Sequence, residues 1–425
     1  MTTQTLEAGR IRRRGAGLFA KALARALTGI ERGTLIIEDG DASLRFGAGE
    51  PRAKVTVRRP SFYRRVALGG TVGAGEAYMD GDWDCDDLVG LMRTLLANAP
   101  AMAKVDGSST LSAQLGNFLQ HLFRRNSRAG SRKNIRAHYD LSNAFFSTFL
   151  DQQMMYSSAV YEHEGASLEE ASLAKLERLC RKLELSPDDH LLEVGTGWGG
   201  LAVYAASRFG CRVTTVTISR EQFDAARARV RDAGLSSRVD VLLRDYRDVE
   251  GQFDKIVSVE MVEAVGHQYL DQYFRVLGRL LRPEGLMVLQ AITIEDRRYR
   301  QALRSVDFIK KHIFPGSFIP SVSALVSSAA AQSETVLVNL EDIGFDYART
   351  LRAWSGRFEA RLAEVEALGF DDAFVRMWRF YLAYCEAGFL ERAISDVQMV
   401  FAGSRYRRQP WRALLNPSLN EGIKL

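Results

Sequence analysis

The chain has 425 residues and a formal net charge of +5, with 46% hydrophobic and 26% charged residues. These proportions are ordinary for a globular protein and exclude a disordered or fibrous chain. No apolar run approaches the roughly 20 residues that cross a bilayer. The arginines between Arg10 and Arg14 are not followed by the apolar core of a signal peptide. We therefore expect a cytoplasmic protein, and the length favours two domains.

The four cysteines are scattered along the chain and form no CxxC pair. Neither a disulfide framework nor a zinc cluster is indicated by this spacing, and no metal site is expected. The positions are Cys85, Cys180, Cys211 and Cys385.

A basic segment lies between His121 and Tyr139 and contains no acidic residue. Such a segment suits a solvated linker or contact with an anionic membrane surface. Nucleic acid is not expected as a partner, because no nucleic-acid-binding motif accompanies the segment. Its charged residues are Arg124, Arg125, Arg128, Arg132, Lys133 and Arg136.

The first part of the chain predicts a small α/β domain over residues 1–110. Its Asp39-Gly40 pair is a strong hairpin signal between two strands, and residues 69–76 are a glycine-rich stretch typical of turns. Residues 111–135 are interpreted as a basic connector. The expected elements are a helix over 19–27 and strands over 34–37, 43–46 and 54–57.

The second part of the chain, residues 136–405, alternates between helical and strand patterns and ends in a tail over 406–425. Repeated βα units predict a parallel sheet with helices on both faces. The first helix is expected to expose a Lys/Arg-rich face. The first units are a helix over 168–183, a strand over 190–194, a helix over 201–209 and a strand over 213–218.

Residues 193–200, Glu-Val-Gly-Thr-Gly-Trp-Gly-Gly, form a glycine-rich turn between a predicted strand and a predicted helix. Glycine permits positive φ and close backbone approach, and the start of a helix offers free N–H groups. The turn therefore indicates a nucleotide site, with a purely structural tight turn as the alternative.

Two further features favour S-adenosylmethionine over a dinucleotide. The second strand ends at Thr-Ile-Ser, residues 217–219, without the acid that usually holds the ribose in a dinucleotide fold. The third strand ends at Arg-Asp-Tyr, residues 244–246, where a methyltransferase places its adenine contacts.

Several separate motifs resemble the cyclopropane-fatty-acyl-phospholipid synthase family, which includes mycolic-acid and fatty-acid methyltransferases. The resemblance covers roughly residues 34–402. The segments that carry it, beside the glycine turn, are 73–83 (GAGEAYMDGDW), 138–143 (HYDLSN), 155–159 (MYSSA), 216–222 (VTISREQ), 260–263 (EMVE), 313–316 (IFPG), 381–385 (YLAYC) and 398–401 (QMVF).

The resemblance implies a class I, Rossmann-like α/β methyltransferase domain, preceded by a smaller N-terminal α/β domain associated with lipid. Thr217 and Gln222 would take the place of the missing ribose acid, and Tyr246 stands where many relatives carry Trp beside adenine. The residues implied to bind the cofactor are Tyr156, Ser157, Glu193, Gly195, Gly197, Gly199, Thr217, Gln222, Asp245 and Tyr246.

The resemblance also implies an anion site, because relatives are thought to hold bicarbonate as the base through Cys, Glu, His and Tyr. Glu263 and Tyr347 match this pattern, whereas Ser158 and Gln290 stand at the Cys and His positions. Both can donate hydrogen bonds to an anion, but neither titrates near neutral pH as histidine does. Bicarbonate is therefore a conditional expectation. Cys385 matches a cysteine that the family pattern has regarded as catalytic.

Glu260 and Glu263 both follow an apolar strand. Either carboxylate would suit the start of a helix, where the helix dipole favours a negative charge. For Glu263 the resemblance favours a site role.

The function expected from this resemblance is transfer of the methyl carbon of S-adenosylmethionine to the double bond of an unsaturated phospholipid acyl chain, giving a cyclopropane. The alternatives are methylation without ring closure, to a methylene or methyl branch, and a non-catalytic lipid-binding scaffold. The expected partners are the acyl chain, an anionic membrane surface bound peripherally at its inner face, a second copy in a homodimer, and a reductase if the product is a branch.

Overall fold

The structure is a computed structural model, and it describes residues 17–98 and 142–408. The predicted connector and most of the predicted tail lie outside the described residues. The chain divides into two compact units, and the first contains residues 304–315 and 362–393 together with the N-terminal part. The predicted boundaries instead placed these two segments with the methyltransferase domain. None of the helices described is long and apolar enough to cross a membrane.

The first unit contains a four-stranded sheet in the order β2-β1-β3-β4. Strands β1 and β2 pair antiparallel around the Asp39-Gly40 turn, which confirms the predicted hairpin, and β1 pairs parallel with β3. The strands are β1 (Gly33–Asp39), β2 (Ala42–Ala48), β3 (Arg52–Val57) and β4 (Trp83–Cys85), and the helices are α1 (Gly17–Leu27), α2 (Ser61–Met79) and α3 (Leu88–Ala97). Two later helices of this unit are introduced below.

Helix α2 contradicts the turn expected over residues 69–76. Only Gly70 leaves the helical region, at φ +53°, and the helix resumes after this kink. Two of the other glycines are required because neighbouring atoms leave no space for a side chain, and not because the chain turns there. A side chain at Gly73 would collide with the carbonyl of Arg65, and one at Gly75 would collide with the ring of Phe308.

The second unit contains a seven-stranded sheet in the order β10-β11-β9-β8-β5-β6-β7. The five strands from β9 to β7 are parallel, and β11 and β10 continue the sheet antiparallel. This confirms the predicted parallel sheet. The strands are β5 (His190–Val194), β6 (Arg212–Thr217), β7 (Val239–Leu243), β8 (Phe253–Val259), β9 (Leu281–Ile294), β10 (Val336–Asp342) and β11 (Ile394–Ala402).

Helices cover both faces of this sheet. Helices α5 and α6 pack on one face, where Leu176 and Leu201 meet Leu191 in one buried cluster. On the opposite face, Phe274 of α8 belongs to a second buried cluster with Leu192. The helices from here on are α4 (Asn143–Ser147), α5 (Leu168–Lys182), α6 (Gly200–Phe209), α7 (Arg220–Asp232), α8 (Leu270–Leu280), α9 (Asp296–Arg304), α10 (Val322–Gln332), α11 (Gly344–Ala360), and, in the first unit, α12 (Leu362–Ala367) and α13 (Asp372–Leu390).

Candidate active site

The glycine turn leaves β5 at Val194 and enters α6 through three left-handed residues. Gly195, Gly197 and Gly199 have φ of +102°, +52° and +84°. Residues other than glycine rarely adopt such positive φ values. A Cβ at Gly199 would also lie 3.1 Å from the Cα of Ala226 in α7. Glycine is therefore needed for the backbone path. Helix α6 begins at the edge of the sheet where β5 ends, and its first N–H groups have no partner within the helix.

The ends of the neighbouring strands supply the other residues that the sequence assigned to the cofactor. At the end of β6, the Thr217 hydroxyl donates to Gln222 Oε1 over 2.9 Å, and the Ser219 N–H donates to Thr217 Oγ1 over 3.1 Å. After β7, the buried Asp245 carboxylate accepts two hydrogen bonds from the Arg247 guanidinium, at 2.8 and 2.6 Å.

Two buried oxygen atoms at this edge fit a polar ligand. Glu193 Oε2 and the Tyr246 hydroxyl have no hydrogen-bond partner among the residues that the structure describes. Burial raises the pKa of Glu193 to about 8, and burial also raises the pKa of the Tyr246 phenol. Unsatisfied buried polar atoms are rare unless a ligand or water completes them. Together with the turn, they are consistent with a bound nucleoside.

The segment before α5 brings Tyr156 and Ser157 to the site. The ring of Tyr156 packs on Trp354, with centroids 5.3 Å apart, and on Phe146 at 5.1 Å. Ser157 Oγ accepts a hydrogen bond of 2.7 Å from Lys175 Nζ. Lys175 is fully buried in α5, so the expected exposed basic face of this helix is wrong at this residue.

Three of the four predicted anion-site residues converge on one carboxylate, which belongs to Glu260 rather than to Glu263. Glu260 Oε1 accepts from the Ser158 N–H and from Gln290 Nε2, both at 2.8 Å. Its Oε2 accepts from the Tyr347 hydroxyl at 2.7 Å. The serine contributes its backbone N–H, because its hydroxyl donates to the Ala159 carbonyl instead. We call Glu260, Ser158, Gln290 and Tyr347 the Glu260 centre.

Two side chains of β11 hold Gln290 in place. Gln398 lies opposite Gln290 in the strand register, and its amide donates to Gln290 Oε1 over 3.0 Å. Gln290 Nε2 also donates to Asp396 Oδ2 over 3.0 Å. Burial and the adjacent charge of Glu260 raise the pKa of Asp396 well above its ordinary value. Asp396 therefore holds a proton more tightly than an ordinary aspartic acid does, directly beside the Glu260 carboxylate.

Glu263 has a different environment from the one expected. Its Oε1 accepts from the Ile292 N–H over 2.6 Å, and its Oε2 has no partner in the described part of the chain. Burial, reinforced by the charge of Glu260, raises the pKa of Glu263 to about 8. At neutral pH Glu263 is therefore mostly a neutral acid, and it makes none of the hydrogen bonds that define the Glu260 centre.

Cys385 lies in α13 of the first unit. Burial, together with the charge of Asp307, raises the pKa of its thiol. A raised pKa disfavours the thiolate, which is the nucleophilic form of cysteine.

The sequence missed Glu260, Asp396 and Lys175 as members of this region. Each carried a signal: Glu260 directly follows the carboxyl end of β8, and Asp396 interrupts the apolar pattern of β11. Lys175 occupies the same helical face as buried Leu168 and Leu179. A charged residue in an apolar pattern is the informative exception, because charges are seldom buried without a purpose.

Comparison with known proteins identifies the class and then the family. A crystal structure of the mycolic acid cyclopropane synthase CmaA1, complexed with S-adenosylhomocysteine and CTAB, superposes with a TM-score of 0.60 at 30% identity, covering 64% of this chain and 98% of that one. The chain is an S-adenosylmethionine-dependent methyltransferase. The family model for mycolic acid cyclopropane synthetase matches residues 126–399, and the chain belongs to this family. The predicted family, fold class and enzyme class are thereby confirmed.

Two curated relatives are equally similar to this chain. Tuberculostearic acid methyltransferase UfaA1 of Mycobacterium tuberculosis is 39% identical over 364 residues, covering 84% of each protein. Cyclopropane-fatty-acyl-phospholipid synthase of Escherichia coli is 39% identical over 366 residues, covering 83% of this chain and 89% of the relative. Overall similarity to these two relatives does not separate the two reactions that their names describe.

Proposed function

We propose that this enzyme transfers the methyl carbon of S-adenosylmethionine to the double bond of an unsaturated fatty acyl chain of a membrane phospholipid, and that the product is a cyclopropane. One observation carries the proposal: a hydrogen-bonded carboxylate lies beside the glycine turn. A Cβ at Gly195 would lie 3.3 Å from Cγ of Met261, the residue directly after Glu260. The two groups leave the neighbouring parallel strands β5 and β8 at the same edge of the sheet.

The cofactor supplies an electrophilic methyl group on a sulfonium sulfur. The π electrons of the alkene form the new carbon–carbon bond, the sulfur keeps the electron pair of the broken bond, and the neighbouring chain carbon becomes a cation. The Glu260 carboxylate is suited to stabilise this cation by its charge. It is also suited to accept a proton from the transferred methyl group, whose C–H electron pair then closes the three-membered ring.

The aromatic side chains near Tyr156 support such chemistry by excluding water. Phe146 and Trp354 are fully buried, and both pack against the Tyr156 ring. A carbocation reacts readily with water, so a dry, π-rich wall both protects and stabilises it. Ser157 and Tyr156 would then contact the methionine part of the cofactor, as the sequence predicts.

A second product, a methylene branch, is favoured by the residues at the Cys and His positions. Ser158 and Gln290 differ from the predicted anion-binding set, and the relative UfaA1 is named as a tuberculostearic acid methyltransferase. In this route a hydride shifts to the cationic carbon, and Glu260 takes a proton from the methyl group to leave an exocyclic double bond. A partner reductase would then saturate the branch.

A phospholipid substrate would bring the enzyme to a membrane surface. The name of the E. coli relative supports a phospholipid acyl chain, and the basic segment in the sequence supports an anionic membrane. The peripheral location and the homodimer stay predictions.

The test is methyl transfer by the purified enzyme to vesicles of monounsaturated phosphatidylglycerol with labelled S-adenosylmethionine. We expect mass spectrometry to show one added CH₂ per acyl chain, and proton NMR to show cyclopropane signals. Olefinic signals of a methylene group would instead establish the branched product. Saturated phosphatidylglycerol is the matched control. Absence of label in every unsaturated lipid, with S-adenosylhomocysteine bound normally, would contradict the proposal.

A further inference from the structure

The anion that the predicted bicarbonate site would hold is already supplied by the protein. Ser158 N–H, Gln290 Nε2 and the Tyr347 hydroxyl all donate to the two carboxylate oxygens of Glu260, over 2.7 to 2.8 Å. These donors come from three separate parts of the chain. Hydrogen bonds to an ionised acceptor are among the strongest in proteins. The donors expected to bind bicarbonate therefore bind a side chain instead.

The backbone of Glu260 is strained in a way that serves this arrangement. Glu260 has φ of +47°, a left-handed conformation that is unfavourable for a residue with a side chain. The Glu260 N–H donates to the Gln290 carbonyl over 2.8 Å, which fixes the residue in this conformation. Strain of this kind clusters at functional sites, where the surrounding contacts maintain it.

The buried surroundings of Glu260 disfavour a second negative charge. The carboxyls of Asp396, Glu263 and Glu193 lie in the same charged environment, and burial raises the pKa of each. The buried cation that acts on Glu260 is Lys175. Adding bicarbonate beside the Glu260 carboxylate would place two negative charges near one positive charge. Like charges in a poorly solvated site disfavour each other strongly. The residues present thus do not fit bicarbonate.

We infer that Glu260 is a catalytic residue that replaces bicarbonate in this enzyme, so that methyl transfer requires no added bicarbonate. The inference rests on the proposed function, because it assigns the base of that reaction. The carboxylate accepts the proton that leaves the transferred methyl group, and it releases this proton to solvent after the product departs. Glu260 as a residue is partly exposed, which gives the substrate access to it.

Glu260→Gly is the variant that tests this inference. It removes the carboxylate and leaves an anion-sized space among three donors. The left-handed backbone favours glycine, so we expect the variant to fold. Glu260→Gln is the matched control, because it fills the same space without a charge. Both variants should bind S-adenosylhomocysteine with the affinity of the wild type, as measured by calorimetry.

The activity measurement is made in carbon-dioxide-free buffer, with and without added bicarbonate. We expect the wild type to be unaffected and both variants to lose about 100-fold or more in turnover, the usual scale for loss of a general base. Bicarbonate should restore at least about tenfold in Glu260→Gly and nothing in Glu260→Gln. A wild type that requires bicarbonate, or a variant that retains turnover within tenfold of the wild type, would overturn the inference.

A binding measurement keeps the inference separate from the proposed function. Carbon-13 NMR of labelled bicarbonate should show line broadening with Glu260→Gly and none with the wild type or Glu260→Gln. This readout needs no lipid substrate, so it holds even if no acyl chain is methylated. Bicarbonate binding to the wild type would refute the replacement. Absence of both binding and rescue in Glu260→Gly would refute the assignment of an anion site.

Discussion

At the scale of single residues, Lys175 is the charge on which the Glu260 centre depends. It is fully buried, and its ammonium group donates to Ser157 over 2.7 Å. Burial lowers the pKa of Lys175 to about 8, and the negative groups around it, Glu260 foremost, oppose this change. Burial raises the pKa of Glu260, and the charge of Lys175, together with the hydrogen bonds from Tyr347 and Ser158, opposes this change. A buried lysine is costly unless neighbouring charges compensate it.

We predict that Lys175→Met moves the acid limb of the pH profile of turnover to higher pH. Loss of the positive charge raises the pKa of Glu260, so a smaller fraction is ionised at a given pH, and activity returns as the pH rises. At pH 7 we expect a loss of about tenfold or more. Methionine fills a similar volume, so packing changes little. The measurement is turnover between pH 6 and 9.

Lys182→Met is the control for that substitution. Lys182 is also buried in α5, two turns further along, but its ammonium group donates to Glu341 over 2.6 Å. Its loss should lower stability without moving the acid limb. An acid limb that stays in place in Lys175→Met, or moves equally in both variants, would contradict the role given to Lys175.

Site residues could be predicted from the sequence only where the backbone has a common conformation. Ser158, Gln290 and Tyr347 could be recognised from motif position, and the structure brings them together. The choice between Glu260 and Glu263 could not be made in the same way. Glu260 is directed to the centre by a left-handed conformation, which a glutamate rarely adopts and which no local pattern predicts.

At the scale of elements, the turn between β5 and α6 contains glycines that are needed for two different reasons. Gly197 and Gly199 are both left-handed, but a Cβ at Gly197 would meet no atom within 4 Å, whereas one at Gly199 would meet Ala226. We expect a bound cofactor to lie against the turn at Gly197, where a Cβ would meet open space. The two glycines therefore serve different purposes.

We predict different effects of alanine at these two positions. Gly197→Ala should weaken S-adenosylhomocysteine about tenfold or more, with a loss of stability of about 1–2 kcal/mol from the left-handed backbone alone. Gly199→Ala should lose more stability, because the new methyl group also presses on α7. Calorimetry and thermal unfolding measure the two effects. Equal effects of both variants on affinity and on stability would refute the distinction.

Element positions were predictable wherever hydrophobic periodicity determines them. The strands β5 and β6 lie where alternation and apolar runs placed them, because their residues are buried on both faces. The turns expected over residues 69–76 are instead part of helix α2, where Gly73 and Gly75 are required by close contacts with Arg65 and Phe308. Local sequence does not report which distant atoms approach a glycine.

At the scale of the whole molecule, the two compact units are not continuous in sequence. The segments 304–315 and 362–393 belong to the first unit, although the strands before and after them belong to the second. Their amphipathic patterns indicate that each buries a face, but a pattern does not identify the core that receives it. Contacts within the first unit, such as the ion pair of Arg93 with Glu391 at 2.7 Å, are set by tertiary folding.

The buried carboxyls also give the whole molecule a pH dependence of stability. Glu263 and Glu193 have pKa values raised to about 8 in the folded protein, against about 4.3 when unfolded. Below about pH 4 both states hold these protons, and stability is unaffected. Between these limits only the folded state holds them, so each rise of one pH unit lowers the free energy of unfolding by about 1.4 kcal/mol per group. Above about pH 8 both states have released these protons, and the free energy of unfolding falls no further.

Glu263→Gln should therefore stabilise the protein at alkaline pH. The amide oxygen can still accept the hydrogen bond from the Ile292 N–H, and the amide carries no proton to lose. We expect the thermal midpoint of the variant to exceed that of the wild type at pH 8.5 and to match it near pH 4, where both states of the wild type hold the proton. The exposed Glu250→Gln is the control and should show no such dependence. The loss of stability arises between the unfolded and folded pKa values, where only the folded state keeps the proton. A difference between Glu263→Gln and wild type that is the same at both pH values would therefore show that Glu263 is not a neutral acid in the folded protein.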